Sequence, residues 1–332
     1  MKKFNIIGGG KSDFSKMNGK YVFGPIPSRR LGRSLGIDLV PHKTCSHDCV
    51  YCEAGETTLL TLERQEYVPV DEVIRELDEF LKTKPELDYL TFSGAGEPTL
   101  NSRIGDVIAF AHHHYPQYRL CLLTNGSLLG RPEVAEGVKD VDLVIPSLDA
   151  SCEEEFIKIN RAQQLMCLED LVNSLAGFRK VFAGAYWLEL FVVPEVNDSD
   201  ASIDRFRQLI ARIKPDKVQL NTLDRPGCVP WIKPAHETTL RHFVERLHDL
   251  VPVESVGRFK YQSYEDAGLP ADEVKNRIVD IISRRPSTAD DIAAALAMSR
   301  DRAIELIHQL SDAKIVRRTV SRRGVFYCKY GP

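Results

Sequence analysis

The stretch that decides the fold is Ser34-Leu-Gly-Ile-Asp-Leu-Val40, followed at once by the loop Cys45-Ser-His-Asp-Cys49-Val-Tyr-Cys52. The first part is short, apolar and partly β-branched, and reads as a strand. The second places three cysteines on the connection that leaves that strand. Three thiolates on one loop can bind three irons of a cubane cluster and leave the fourth iron open. An open coordination position turns a held metal into a catalyst, as it does at zinc centres. Structural zinc is the competing reading, with His42 or His47 completing a Cys3His set. Zinc sites usually combine two separated ligand pairs, and no second pair follows here at a suitable distance.

Outward from this loop, short apolar runs alternate with amphipathic stretches from about residue 33 to about residue 250. The candidate strands are Ser34–Val40, Tyr89–Phe92, Leu120–Leu123, Leu143–Pro146, Leu188–Val193 and Val218–Leu220. Helical patterns lie between them, among them Asp71–Leu81 and Ile203–Ile213. In the first, Val73, Ile74, Leu77 and Leu81 share one face, while Glu72, Arg75, Glu76 and Glu79 cover the other. Strand–helix alternation implies a parallel sheet, because parallel strands need a crossover. Six such units make an α/β fold, either an open barrel or a doubly wound sheet. In both, functional residues gather at the C-terminal ends of the strands.

After Tyr264 the pattern changes. Residues 265–271 read as a linker, punctuated by Gly268 and Pro270. Three helices (Asp272–Ser283, Ala289–Leu296, Arg300–Ser311) and a hairpin (Ile315–Val320 with Val325–Tyr330) follow, in the layout of a winged helix. Ser287 and Ser299 are placed as N-caps of the second and third helices. Gly324 supplies the positive φ of the hairpin turn. The expected organisation is an extension over 1–20, an α/β core over 21–264, and the small module over 272–332.

Composition narrows the function classes. Charged residues make up 27% and hydrophobic ones 43% of the 332, as in ordinary globular proteins. A net charge of −3 argues against whole-protein attraction to nucleic acid or membrane, so any basic patch is local. No segment approaches the ~20 apolar residues of a membrane span, and no signal-peptide pattern is present. A cytoplasmic location without membrane contact is expected. There, clustered cysteines bind metal or do chemistry, while Cys121, Cys152, Cys167, Cys228 and Cys328, scattered singly, read as small buried residues.

The cysteine spacing resembles that of the radical S-adenosylmethionine (SAM) superfamily, and further stretches match its other motifs in order. Ser93-Gly-Ala-Gly-Glu-Pro98 is similar to the Gly-Gly-Glu-Pro motif, with Ala95 in place of its first glycine. Thr124-Asn125-Gly126-Ser127, Ser147-Leu148-Asp149 and Val193-Pro194-Glu195-Val196-Asn197-Asp198 end the next strands, and Gln219-Leu220-Asn221 ends the sixth. The resemblance implies a partial (β/α)6 barrel with one 4Fe–4S cluster on Cys45, Cys49 and Cys52. It also implies a SAM site formed by Tyr51, Gly94, Gly96, Glu97, Asn125, Ser147, Asp149 and Asn197. Glu97 would receive the methionine ammonium, Ser147 or Asp149 the ribose, and Tyr51 would pack beside adenine. The stretches Tyr21–Gly36 and Gln219–Pro226 resemble a bacterial group related to wyosine-forming tRNA enzymes. Residues 1–44 contain no cysteine, so the second cluster of those enzymes is not implied.

The implied chemistry needs a flavodoxin- or ferredoxin-like electron donor, and the substrate stays open. Arg29, Arg30 and Arg33 either face the site, where arginines bind carboxylate or phosphate, or form a solvated basic stretch. Arg161 and Arg225 are weaker candidates of the same kind. His112-His-His114 reads as a solvated helix end rather than a metal tract. From Ala313 onward there are six Lys or Arg and no acid, so the hairpin could meet nucleic acid or protein. Two other classes remain: a cluster-dependent redox or iron sensor binding DNA through the winged helix, and a zinc-stabilised binding module.

Overall fold

A computed structural model describes residues 20–28, 30–225, 227–256, 271–296, 298–321 and 324–330. Arg29, Arg322, Arg323, the first 19 residues and nearly all of the expected linker lie outside them. The chain opens with an antiparallel pair, β1 (Val22–Ser28) and β2 (Gly32–Ile37). β3 (Thr44–Cys45) and β4 (Leu59–Leu60) follow as a two-residue parallel ladder. Strands and helices then alternate: α1 (Val70–Leu81), β5 (Tyr89–Phe92), α2 (Ile104–His114), β6 (Arg119–Thr124), α3 (Pro132–Val138) and β7 (Leu143–Pro146). Next come α4 (Glu153–Ile159), α5 (Leu168–Val181), β8 (Ala185–Val192), α6 (Asp200–Ile213), β9 (Lys217–Thr222), α7 (Glu237–Leu247) and β10 (Val253–Ser255). The module beyond is α8 (Ala271–Arg284), α9 (Ala289–Ala295), α10 (Arg300–Asp312), β11 (Val316–Ser321) and β12 (Gly324–Lys329).

One sheet organises the core, in the order β1-β2-β5-β6-β7-β8-β9-β10, with every pair parallel except β1–β2. The six expected strands are all present. Two more flank them, and both escaped the sequence pattern for physical reasons. β1 carries Pro25 and Pro27, which cannot donate to a ladder and so read against a strand; at the sheet edge they are tolerated. β10 is three residues long, too short to show a period.

The two faces of the sheet differ. Leu90, Phe92, Leu120, Leu122, Val144, Leu188, Leu190, Val218 and Leu220 pack beneath the helices in the main core. The alternate residues Tyr89, Cys121, Leu143 and Ile145 form a smaller cluster with Leu31, to which no helix contributes. Each buried Leu, Val, Ile or Phe is worth about 1.5–3 kcal/mol, so the helix-covered face dominates stability. On the other face polar groups are held within the fold: Arg30 pairs with Glu189, and Gln219 donates to Glu254 at 2.5 Å.

The module has its own core, including Ile278, Ile292, Leu306, Ile307 and Val316. Ser299 caps α10, its hydroxyl accepting from the Arg302 amide at 3.2 Å. Ser299→Ala should cost about 1 kcal/mol of stability, read as a lower denaturation midpoint. Ser287 does not cap α9, contrary to expectation. Thr288 does, in a reciprocal pair with Asp291, while the Ser287 backbone bridges to Tyr327. Gly324 takes φ +119° at the hairpin, as expected. Among the described residues no helix is long and apolar enough to cross a membrane.

Candidate active site

The cysteine loop leaves the C-terminal end of β2 and is stitched on two sides. Lys43 donates its backbone N–H to the Ala95 carbonyl (2.5 Å), and the Glu97 amide donates to the Thr44 carbonyl (3.0 Å). On the far side, Asp48 and Val50 donate to the carbonyls of Asn160 and Ile159, at 3.0 and 2.9 Å. The short β3–β4 ladder closes the loop at its base. The cysteine-bearing segment is thereby fixed by backbone bonds to the turn after β5 on one side and to the end of α4 on the other.

Each thiol has an N–H donor from a different element. Lys43 Nζ reaches Cys52 Sγ at 3.0 Å, and the amides of Asn125 and Asn160 reach Cys45 and Cys49 Sγ, both at 3.5 Å. Burial pushes the Cys45 thiol up to about 12 and the Cys49 thiol well above its ordinary value, with Glu97 and Asp149 respectively adding to it. Thiols held back from ionising in this way lose their protons when a metal binds them. Both ring nitrogens of His47 and the Asn160 Oδ1 lie buried beside the triplet with no hydrogen-bond partner. Buried polar atoms without partners point to a bound group. Among the described residues no three Cys, His, Asp or Glu converge as ligands of a single ion. A cube meets three thiolates on three separate irons, and a loop that presents three thiols without a fourth side-chain ligand matches that demand.

The Gly-Ala-Gly-Glu-Pro turn follows β5. Gly94 has φ +127°, and a Cβ there would run into the Asp38 carboxylate, which itself accepts from the Ala95 amide at 3.1 Å. A Cβ on Gly96 would run into the Thr44 carbonyl. The intervening position accommodates a methyl, which is why Ala95 is tolerated. Gly96→Ala should therefore displace the cysteine loop while sparing the core. The expected result is a marked loss of bound iron per chain at a nearly unchanged circular-dichroism spectrum.

Glu97 is buried and joins two strand ends. Its Oε1 accepts from the Thr99 amide (3.1 Å) and from the hydroxyls of Thr99 (2.5 Å) and Thr124 (2.7 Å); its Oε2 accepts from the Asn125 amide (2.8 Å). Burial raises its carboxyl above the ordinary value against these four donors. Asp149, after β7, is bound by the Phe191 amide, the Tyr51 hydroxyl (2.5 Å) and Asn160 (2.8 Å). Tyr51 stacks on Phe191, with centroids 3.9 Å apart and planes within 9°. Asn197 is wholly engaged with the backbone of Asp149, Phe191 and Val193, locking the ends of β7 and β8 together. Ser147 is half-buried at the end of β7, next to Glu189.

Sequence reasoning missed Lys43, Asn160 and Phe191. Asn160 lies 111 residues from its thiol, and nothing local marks it. The arginines divide: Arg30 pairs with Glu189, while Arg33 pairs with exposed Glu86. Arg161 lies 3.7 Å from Asp48. Arg225 is buried, between Glu53 and Asp291. His112–His114 form the exposed last turn of α2. Of the scattered cysteines, Cys121 is fully buried, whereas Cys228 is half-buried and bonds to the carbonyls of Cys49 and Val50.

Comparison with known proteins agrees with this geometry. A protein of Brachyspira hyodysenteriae named GTPase Obg is 36% identical over 310 residues. That alignment covers 92% of this chain and 45% of the relative, so the chain spans less than half of that protein. A UPF0026 protein of Methanocaldococcus jannaschii is 28% identical over 93% of this chain and 95% of its own. Among solved structures, a radical SAM methyltransferase from Sphaerobacter thermophilus shares the fold, with a TM-score of 0.54 at 16% identity. That likeness covers 67% of this chain and 65% of the other. The family model of the radical SAM superfamily matches residues 39–206, half of the chain, from just before the cysteine loop into the middle of α6. The chain therefore belongs to the radical SAM superfamily and is an enzyme of that type.

Proposed function

We propose that this protein cleaves SAM reductively and uses the resulting radical to take hydrogen from a substrate whose identity stays open, RNA and peptide being the candidates. The observation that carries this reading is the triplet Cys45, Cys49 and Cys52, each sulfur met by its own N–H donor, beside buried polar atoms that lack partners. Those thiolates would hold one 4Fe–4S cluster. When bound, it supplies one electron to the sulfonium of SAM, yielding methionine and a 5′-deoxyadenosyl radical.

The chain's own residues bind, orient and exclude water. Glu97 is held rigid by four donors and offers Oε2 to the methionine ammonium. Asp149 and Ser147 sit where ribose hydroxyls would lie, and the Tyr51–Phe191 pair forms an aromatic wall for adenine. Gly94 and Gly96 let the backbone close on the ligand. The electron would come from a flavodoxin- or ferredoxin-like protein of the cytoplasm. The residues from 272 to the end form a winged helix in this reading, whose basic hairpin brings the substrate to the core of residues 21–264. The finer kinship with the group related to wyosine-forming enzymes rests on the stretches Tyr21–Gly36 and Gln219–Pro226.

Anaerobic reconstitution with iron and sulfide tests the reading. A brown protein that releases 5′-deoxyadenosine on addition of dithionite and SAM is expected. A fully loaded protein that releases none would overturn it.

A further inference from the structure

We propose that Lys43, Asn125 and Asn160 form a collar of donors, one to each cluster sulfur, that raises the cluster's reduction potential, with Lys43 the dominant member. The inference rests on the radical reading above and deepens it, because it concerns how readily the same site accepts its electron.

The three donors come from three places in the fold: the residue before β3, the end of β6 and the end of α4. They address three different sulfurs without overlap, at 3.0, 3.5 and 3.5 Å. Each is held in place by further bonds. The Asn125 amide also donates to Ser46 Oγ (2.8 Å), and its carbonyl accepts from the Ser127 amide (3.0 Å). The Asn160 amide also donates to Asp149 (2.8 Å). Lys43 is 3% exposed, its N–H bound to Ala95 and its carbonyl to the amides of Thr58 and Leu59. It also holds φ +58°, in the left-handed region.

A donor aimed at a thiolate stabilises the state with more negative charge on the sulfur, which here is the reduced state. Hydrogen bonds to the sulfurs are an established control on cluster potential. A buried ammonium acts through a full charge in a medium that screens it poorly, whereas an amide acts only through its dipole. Lys43 should therefore outweigh the two asparagines. Removing any of the three lowers the potential and makes the cluster harder to reduce.

The test is a spectroscopic redox titration of the loaded protein, with iron content measured on each sample. Lys43→Met is expected to shift the midpoint to more negative potential. Asn125→Ala and Asn160→Ala should shift it the same way by less. Lys43→Gln keeps a donor without the charge and should fall between wild type and Lys43→Met; it also serves if the methionine variant fails to load. Lys158→Met, which removes an exposed cation of α4, should leave the midpoint unchanged. Loaded Lys43 variants with the wild-type midpoint would overturn the collar and leave the radical reading standing. A wild-type protein that takes up no cluster would overturn both.

Discussion

Cys49→Ala will give a protein that folds, takes up little iron, and releases no 5′-deoxyadenosine. The expected loss is complete within detection, because two thiolates cannot retain a cube that needs three. The fold should survive, since the loop is held by backbone bonds that owe nothing to the Cys49 side chain: Val50 to Ile159, Asp48 to Asn160 and Thr61 to Cys45. The main core contains none of the three cysteines. Iron per chain, visible absorbance and a denaturation midpoint on the same sample separate these outcomes. A Cys49→Ala variant that kept full colour and activity would mean that another side chain completes the site.

Arg225→Ala should be the most destabilising single change in the loop after β9. Its guanidinium is 1% exposed and spans two carboxylates, Glu53 Oε2 at 3.1 Å and Asp291 Oδ2 at 3.2 Å. Burial alone would weaken the cation, but Glu53 and Asp291 more than restore it. Truncation takes the shared cation from both acids, although Arg285 stays 4.0 Å from Glu53 and Asp291 still accepts from the Thr288 amide. Breaking a buried pair in this way costs about 3–5 kcal/mol, far beyond a surface bridge. Arg225→Lys should recover part of that, since one ammonium cannot fork between two carboxylates. Denaturant midpoints compare the variants. A loss below about 1 kcal/mol would show that water reaches the pair.

The contrast between what was and was not legible in the sequence follows the range of the forces involved. β5 and β7 lie where the apolar runs place them, because their residues are buried on both faces and the run length is the strand length. The motif turns could be located because strand ends are marked by glycine, proline and small polar residues. Lys43 could not be singled out, since a lysine before a cysteine loop ordinarily points to water, and only the fold aims it at Cys52. Ser287 was misjudged for a similar reason. Its place before α9 suits a cap, but pairing with Tyr327 across the module claims its backbone, and Thr288 takes the role. Arg30 and Arg33 are neighbours in sequence with opposite fates, decided by the turn between β1 and β2.

Arg284, at the end of α8, stacks over Phe23 and pairs with Asp38, the same carboxylate that braces the Ala95 amide. The terminal module thus grips a residue one hydrogen bond away from the turn that would seat the methionine end of SAM. Were a partner of that module to tighten or loosen this grip and thereby alter affinity at the site by some factor, thermodynamic reciprocity would apply. A ligand settling at the strand ends would then alter the partner's affinity by that same factor. Cutting the chain before residue 271 would remove Arg284 and with it this brace on Asp38.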